Sequence, residues 1–119
     1  MATTTLDTML PQFGRYIGAF IGSFNTTTAI AANTSVVSTE LTNSGFNNDD
    51  ALIDTFIKIT SANNDDAVRR VTDYTASSGT ITVSGTALTS DSSTQATFEL
   101  YRYDPNQLRD SLNDARLNV

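Results

Sequence analysis

Carboxylates, a single lysine and four tyrosines are the side chains in this sequence that suit acid–base chemistry. The chain has no His and no Cys. The commonest general base, the usual zinc ligands and every thiol nucleophile are therefore missing. Glu40 and Glu99 are the only glutamates, and no pattern places them in one cleft, as glycoside hydrolysis requires. The sequence predicts no catalytic residue and no cofactor, and a hydrolase that uses Asp and Glu stays an alternative.

Two Asn/Asp tetrads, residues 47–50 and 63–66, each place several oxygen ligands close together. Oxygen clusters of this kind suit Ca²⁺, but neither tetrad has the alternate-residue spacing, central Gly and distal Glu of an EF-hand loop. Asn and Asp are also the residues that tight turns require. We therefore predict two turns and no metal site. The six glycines form no phosphate-binding motif either.

The charge balance argues against nucleic acid as a partner. A net charge of −6 and a pI near 4.2 repel a polyphosphate chain. The one basic pair, Arg69 and Arg70, lies in a predicted strand, which directs its two side chains to opposite faces. The apolar run 9–24 is too short and too interrupted for a membrane span, and no basic residue precedes Leu6 as in a signal peptide. We expect a protein that assembles in a cytoplasm and binds neither nucleic acid nor membrane.

Near the N-terminus, apolar residues recur at steps of three and four, the period of one helix face. They are Leu6, Met9, Leu10, Phe13, Tyr16, Ile17, Phe20 and Ile21. This pattern predicts an amphipathic helix over residues 1–22, with Gly22 as its stop. Phe13, Tyr16 and Phe20 place three aromatic rings on its apolar face. That face either covers the rest of the domain or contacts another subunit.

Residues 23–103 predict a β-domain of about six short strands. Thr and aliphatic residues favour the strands, and Ser, Asn and Gly favour the turns between them. The predicted strands are 24–31, 35–39, 55–61, 67–74, 80–84 and 95–103. In the last of these, Tyr101 and Tyr103 share one face, opposite Phe98 and Leu100. Exposed there, the two tyrosines would stack on a sugar or contact a subunit; the other interpretation is packing under the terminal helix.

The start of a C-terminal helix is clear. Asp104 is a typical N-cap, Pro105 suits the first helical position, and Gln107 stands three residues after the cap. Leu108, Leu112, Ala115 and Val119 form a narrow apolar face, and the pattern is still periodic at the last residue. We expect either further helical chain or a partner that completes this helix.

The predicted fold class is therefore mainly β. It is a small antiparallel β-sandwich or barrel of about six strands, flanked by an N-terminal and a C-terminal amphipathic helix. A chain of 119 residues is long enough for one core. We predict a single domain over 1–119, with the β-domain at 23–103 and the second helix at 104–119.

Four segments resemble a pattern that recurs in virion proteins of tailed bacteriophages. A short strand ending in Thr-Ser (56–61) is followed by an Arg-Val-Thr-x-Tyr strand (68–74), a Gly-containing turn with a Thr-Val strand (77–83), and a last strand (98–102) before a helix. Two departures are the 63–66 tetrad, which replaces a Gly-containing turn, and Ser111, which stands where the helix normally has Ala.

The resemblance implies a neck, head–tail adaptor or tail component of a virion, assembled in the host cytoplasm as an oligomeric ring with other virion proteins. We interpret the chain as such a structural protein. The residues that we predict at its interfaces are Phe13, Tyr16, Phe20, Tyr101, Tyr103, Leu108 and Leu112. The alternative is a carbohydrate-binding or decoration module on a phage fibre or capsid surface, which would use the tyrosines and the Asn/Asp loops.

Overall fold

The computed structural model describes residues 18–92 and 94–117. Six strands form one antiparallel sheet in the order β1-β6-β3-β4-β5-β2. They are β1 (Phe20–Asn25), β2 (Ser35–Val37), β3 (Phe56–Ile59), β4 (Val68–Thr75), β5 (Thr80–Val83) and β6 (Thr97–Tyr101). Two α-helices, α1 (Thr39–Asn43) and α2 (Pro105–Leu117), and a 3-10 turn (Ala62–Asn64) accompany the sheet. The mainly β fold, the six strands and the C-terminal helix are confirmed.

The sheet curls until its two edge strands meet. The backbone N–H of Thr27, just after β1, donates to the carbonyl oxygen of Val37 at the end of β2, over 2.8 Å. The hydroxyl of Ser38 donates to the carbonyl oxygen of Asn25, and the Asn25 amide donates to a Glu40 carboxylate oxygen at 3.1 Å. We call this line of contacts between residues 25–27 and 37–40 the seam.

The inner face of the curled sheet encloses one apolar core, and every strand contributes side chains to it. The core side chains from the strands are Ile21, Phe24, Val36, Ile57, Ile59, Val71, Tyr74, Ile81, Val83, Phe98 and Leu100. Burial of a large apolar side chain contributes about 1.5–3 kcal/mol. The alternation predicted for β6 is confirmed, since Phe98 and Leu100 are fully buried in this core.

Two β-bulges explain why core residues in β1 and β4 are three positions apart. In β4 the register shifts between Val71 and Asp73, so Val71 and Tyr74 both point into the core. In β1 the register shifts between Phe20 and Gly22, which leaves Ile21 as the extra residue. An inserted residue changes the face on which the following side chains lie. A strand with a bulge can therefore show the three-residue step that is typical of a helix.

The predicted helix over residues 1–22 is wrong at its end. Phe20, Ile21 and Gly22 belong to β1, and Gly18 before them has a φ of +77°, a backbone conformation outside the right-handed helix. Phe20 lies on the outer face of the sheet, whereas Ile21 packs against the core. The rest of the predicted helix, with Phe13 and Tyr16, lies outside the described residues.

Two connections also differ from the sequence-based expectation. The first predicted strand extends to residue 31, but the chain leaves the sheet after Asn25 to form the seam. Helix α1 begins at Thr39, the last residue of the predicted strand 35–39, and it buries Leu41 in the core. At the β4–β5 turn, Gly79 has a φ of +70°, and an added Cβ would collide with the carbonyl oxygen of Ser38. Glycine is therefore required where this turn meets the seam.

Candidate interaction site

Strands β1, β6, β3 and β4 present an outer face on the side of the sheet opposite the core. The register places Phe20, Tyr101, Phe56 and Arg70 in one row across the four strands. A second row, one pleat further along, contains Ser23, Glu99, Lys58 and Val68. Side chains alternate between faces along a strand, so both rows face away from the core.

The first row contains a small apolar cluster under helix α2. The rings of Phe20 and Tyr101 meet edge to face, with centroids 5.4 Å apart. Ala19 and Leu108 complete the cluster, and Tyr101 is completely buried. Three of the predicted interface residues are thus brought together, but they contact one another within the chain.

Helix α2, which lies over this cluster, has a well-defined start. The Asp104 carboxylate accepts the backbone N–H of Asn106 at 2.9 Å, so the predicted N-cap is confirmed. Pro105 is buried as the first helical residue. Leu108 and Leu112, one turn apart, are 6% and 9% exposed. The first two residues of the predicted apolar face, Leu108 and Leu112, are therefore buried.

Of the two interpretations of the tyrosine face, packing under the terminal helix is confirmed for Tyr101, and exposure holds for Tyr103 alone. Strand β6 ends at Tyr101, and the chain bends at residues 102–103 before α2 begins. The helix then covers Tyr101, whereas Tyr103 stays 57% exposed. A paired-tyrosine platform for a sugar ring is consequently not formed.

The second row contains a buried polar group that sequence reasoning missed. Lys58 is only 2% exposed, and its Nζ lies 3.5 Å from an Asp66 carboxylate oxygen. Glu99 lies directly opposite Lys58 on β6 and accepts the Tyr101 hydroxyl at 2.9 Å. Burial of an ammonium group is costly unless it has an ionic or hydrogen-bonding partner. Ammonium, carboxyl and phenol groups are capable of proton transfer. Here, however, Lys58 is paired with Asp66, and Tyr101 is hydrogen-bonded to Glu99.

Two exposed apolar side chains lie in the segments that flank one end of strands β3 and β6. In the described residues the exposed large hydrophobic side chains are Ile53 and Tyr103. Phe56 at the start of β3 pairs with Tyr101 at the end of β6. Ile53 lies three residues before Phe56, and Tyr103 lies two residues after Tyr101. Both therefore belong to segments at the same end of β3 and β6.

Arginines accompany these side chains. Arg70 is paired with Phe56 in the register and forms an ion pair with Asp54, both partners being largely exposed. Arg102 is exposed and has no ion pair within the described residues. We call Ile53, Arg70, Arg102 and Tyr103 the Tyr103 end. Tyr and Arg are enriched in protein interfaces and among the residues that dominate binding energy.

The other basic residue of the predicted pair points elsewhere. Arg69 Nε donates to the carbonyl oxygen of Thr86 at 3.0 Å, whereas Arg70 contacts Asp54. The prediction that consecutive strand positions direct Arg69 and Arg70 to different sides is confirmed, so the two do not form one basic patch.

The first Asn/Asp tetrad forms a turn, as predicted. The Asn48 side-chain oxygen accepts the backbone N–H of Asp50 at 2.8 Å. The Asp49 carboxylate accepts the backbone N–H of Ala76, which ties this loop to the β4–β5 turn.

The second tetrad lies at the opposite end of β3 and β6 from Tyr103, and its side chains also form hydrogen bonds with the backbone. The buried Asn64 amide donates to the carbonyl oxygen of Thr89 and accepts the Thr89 N–H, at 2.7 and 2.8 Å. Asn63 donates to Ser90, and its own N–H donates to the Asp91 carboxylate. Within residues 18–92 and 94–117, no three His, Cys, Asp or Glu side chains are grouped so that they could hold a metal ion.

Among the helices in the described ranges, none has the length and apolarity needed to cross a membrane. Comparison of the chain with family models, with curated proteins and with solved structures gives no match.

Proposed function

We propose that this chain is a structural assembly protein of a tailed-phage virion, which acts through protein–protein contacts at its Tyr103 end. The observation that carries this proposal is that, within the described residues, both exposed large hydrophobic side chains lie in segments at the same end of β3 and β6, together with two exposed arginines. Apolar patches edged by polar residues are typical of interaction sites.

Burial within the chain narrows the choice of surface. Phe20, Tyr101, Leu108 and Leu112 are covered or partly covered by their own fold. An interface that used Tyr101 or Leu108 would require α2 to leave the sheet. Among the predicted interface residues that the structure describes, Tyr103 is the one that is available without unfolding, so the contact is proposed there.

The resemblance to tailed-phage virion proteins supports the class of assembly. Its four segments, 56–61, 68–74, 77–83 and 98–102, coincide with the consecutive strands β3 to β6, and its helix coincides with α2. The similar region is thus a continuous part of one folded unit. A role as a neck, head–tail adaptor or tail component is the corresponding expectation.

Association with particles is the direct test. Particles purified on a density gradient from a lysate that contains this chain should hold it at a constant ratio to the major capsid protein, as measured by quantitative mass spectrometry. A Tyr103→Asp variant should be depleted from particles, because it places a charge in a contact that excludes water. Thr72→Asp, on the exposed part of β4, is the matched control.

The opposite outcomes would contradict the proposal. Chain that remains in the soluble fractions is not a virion component. Tyr103→Asp chain that enters particles as well as Thr72→Asp chain would exclude the Tyr103 end as the contact. Circular dichroism of both variants establishes that they are folded.

A further inference from the structure

We propose that helix α2 is a hinged cover, which leaves the outer face of the sheet as a unit while the core inside the curled sheet stays intact. The helix lies over the cluster of Ala19, Phe20, Tyr101 and Leu108. We call the structure with α2 in place the closed form and the structure without this contact the open form. In the open form the rings of Phe20 and Tyr101 are in solvent, in the same row as Arg70 of the Tyr103 end. This inference does not depend on the virion role.

The apolar side chains of the molecule form two separate clusters. The main core receives side chains from all six strands and from α1, whereas the small cluster on the outer face receives Leu108 from α2. The two clusters share no residue, and no residue of α2 in the described ranges belongs to the main core. Elements with few buried apolar contacts open at lower free energy than the core of a protein. Departure of α2 therefore leaves the packing of the main core unchanged.

Few side chains hold α2 on the sheet. Between residues 105 and 114, the buried side chains of the helix are Pro105, Leu108 and Leu112. The helix has 13 residues, and a helix of this length is only marginally stable alone in water. Its order thus depends on these contacts. Opening removes them, whereas unfolding of the sheet also removes the main core and every strand pairing, so the open form is reached more easily than the unfolded chain.

The chain between β6 and α2 provides the hinge. Arg102 and Tyr103 form a bend and are both exposed. The Arg102 N–H donates to the carbonyl oxygen of Ala19 at 2.7 Å, which fixes the chain up to this residue. Beyond the bend, the Asp104 carboxylate accepts the N–H of Asn106, a hydrogen bond within the start of the helix. Rotation about the backbone of Tyr103 therefore breaks neither the contact with the sheet nor the helix cap.

Two polar contacts on the outer face have both partners on the sheet side of the hinge. Lys58 of β3 is paired with Asp66 in the turn after that strand, and the Tyr101 hydroxyl donates to Glu99 of the same strand. A buried polar group that loses its partner opposes the change that removes it. These partners do not belong to α2, so both contacts persist in the open form.

A single introduced thiol detects the opening, because the natural chain has no Cys. Ala19→Cys places the thiol in the cluster under α2, and Ala96→Cys, the matched control, places it in the main core. The two alanines are 0% and 1% exposed. Iodoacetamide labelling of each folded full-length variant is followed by intact-protein mass spectrometry. The thiol at residue 19 should react at least about a hundredfold faster, because its exposure requires the open form and not global unfolding.

A second substitution in the helix tests whether α2 is the cover. Leu112→Ala removes buried packing and should raise the labelling rate at residue 19 by about tenfold or more. Ser111→Ala, at the exposed neighbouring position, should not raise it.

A substitution in the main core tests whether the opening is independent of the sheet. Ile81→Val weakens the closed and the open form equally, because Ile81 is fully buried in the main core. It should raise the labelling rate at residue 96 by about threefold or more and leave the rate at residue 19 within about twofold.

Three results would overturn the inference. They are equal labelling rates at residues 19 and 96, a rate at residue 19 that does not respond to Leu112→Ala, and an equal response of both rates to Ile81→Val. Amide exchange of the wild-type chain, followed by NMR, needs no cysteine: amides 109–112 should open about a hundredfold more often than those of Ile57 and Leu100. Equal protection of the two groups would also overturn it. The virion role is tested separately, by association with particles.

Discussion

Tyr101 and Tyr103 are two residues apart, yet their environments are opposite. Tyr101 is fully buried against Phe20 and Leu108 and donates its hydroxyl to Glu99, whereas Tyr103 is 57% exposed. Strict alternation would give both the same face. The bend after Tyr101 ends the alternation, and α2 then covers the first ring alone.

The hydroxyl of Tyr101 provides the first prediction. Tyr101→Phe removes its hydrogen bond to a carboxylate, and we expect the free energy of unfolding to fall by about 1–3 kcal/mol. Urea denaturation followed by circular dichroism measures the change. Tyr103→Phe is the matched control, since an exposed phenol interacts with water in both states, and its effect should be within about 0.5 kcal/mol. Equal effects of the two substitutions would show that the Tyr101–Glu99 hydrogen bond contributes nothing to stability.

Lys58 is a residue whose direction follows from its neighbours but whose partner does not. It lies between Ile57 and Ile59, both fully buried, so alternation alone directs Lys58 to the other face. Its own burial and its contact with Asp66 depend on the turn at 62–66, which brings the Asp66 carboxylate back to β3. Local sequence therefore predicts the face of this side chain and leaves its ion pair to the conformation of the turn.

Among the secondary-structure elements, helix α2 forms where the sequence predicts it, whereas β1 begins in a segment for which the sequence predicts a helix. The Asp104-Pro105 start depends only on neighbouring residues, because a cap satisfies backbone groups within one turn. In contrast, the step from Ile21 to Phe24 fits a helix as well as a bulged strand. Pairing with β6 decides between them, and β6 is more than seventy residues away in sequence.

Helix α2 provides the second prediction. Leu108→Asp places an unpaired charge in the cluster with Tyr101 and Ala19, so we expect a loss of about 3 kcal/mol or more, or failure to fold. Gln107→Asp, an exposed neighbour in the same helical turn, should change stability by less than about 0.5 kcal/mol. Thermal unfolding followed by circular dichroism distinguishes the two. A Leu108→Asp chain with wild-type stability would show that packing of Leu108 against the sheet contributes nothing to stability.

For the whole molecule, the seam decides whether the sheet is open or curled. The Thr27 hydroxyl accepts the backbone N–H of Thr39 at 2.7 Å and contacts the Thr39 hydroxyl at 3.1 Å. These contacts hold the start of α1 against the chain that follows β1. They join the segments that follow β1 and β2, the two edge strands of the sheet, so they require the sheet to be curved.

Opening of the seam is the third prediction. Thr27→Val keeps the shape of the side chain but removes the acceptor, and we expect the Thr39 amide to exchange its hydrogen about tenfold faster. Amide exchange followed by NMR measures this locally. In Thr72→Val, which removes a longer, exposed hydroxyl contact to Thr82, the Thr39 amide should exchange at the wild-type rate. A faster Thr39 amide in both variants would mean that the sheet opens as one unit.

Local sequence was sufficient for those features that depend on near neighbours. The core face of β6, the N-cap of α2, the separation of Arg69 from Arg70 and the turns at the two Asn/Asp tetrads all follow from side-chain alternation or from hydrogen bonds to nearby backbone. Composition was sufficient to exclude the chemistry of His and Cys, because neither residue type occurs in the chain.

Which surfaces remain free depends instead on tertiary contacts. Tyr101 is buried because α2 returns over the sheet, and Ile53 and Tyr103 lie at the same end of the strands because β3 pairs with β6. Each of these facts requires contacts between residues that are far apart in sequence. Periodicity records which face a side chain occupies, but exposure depends on what later covers that face, and a distant element supplies that cover.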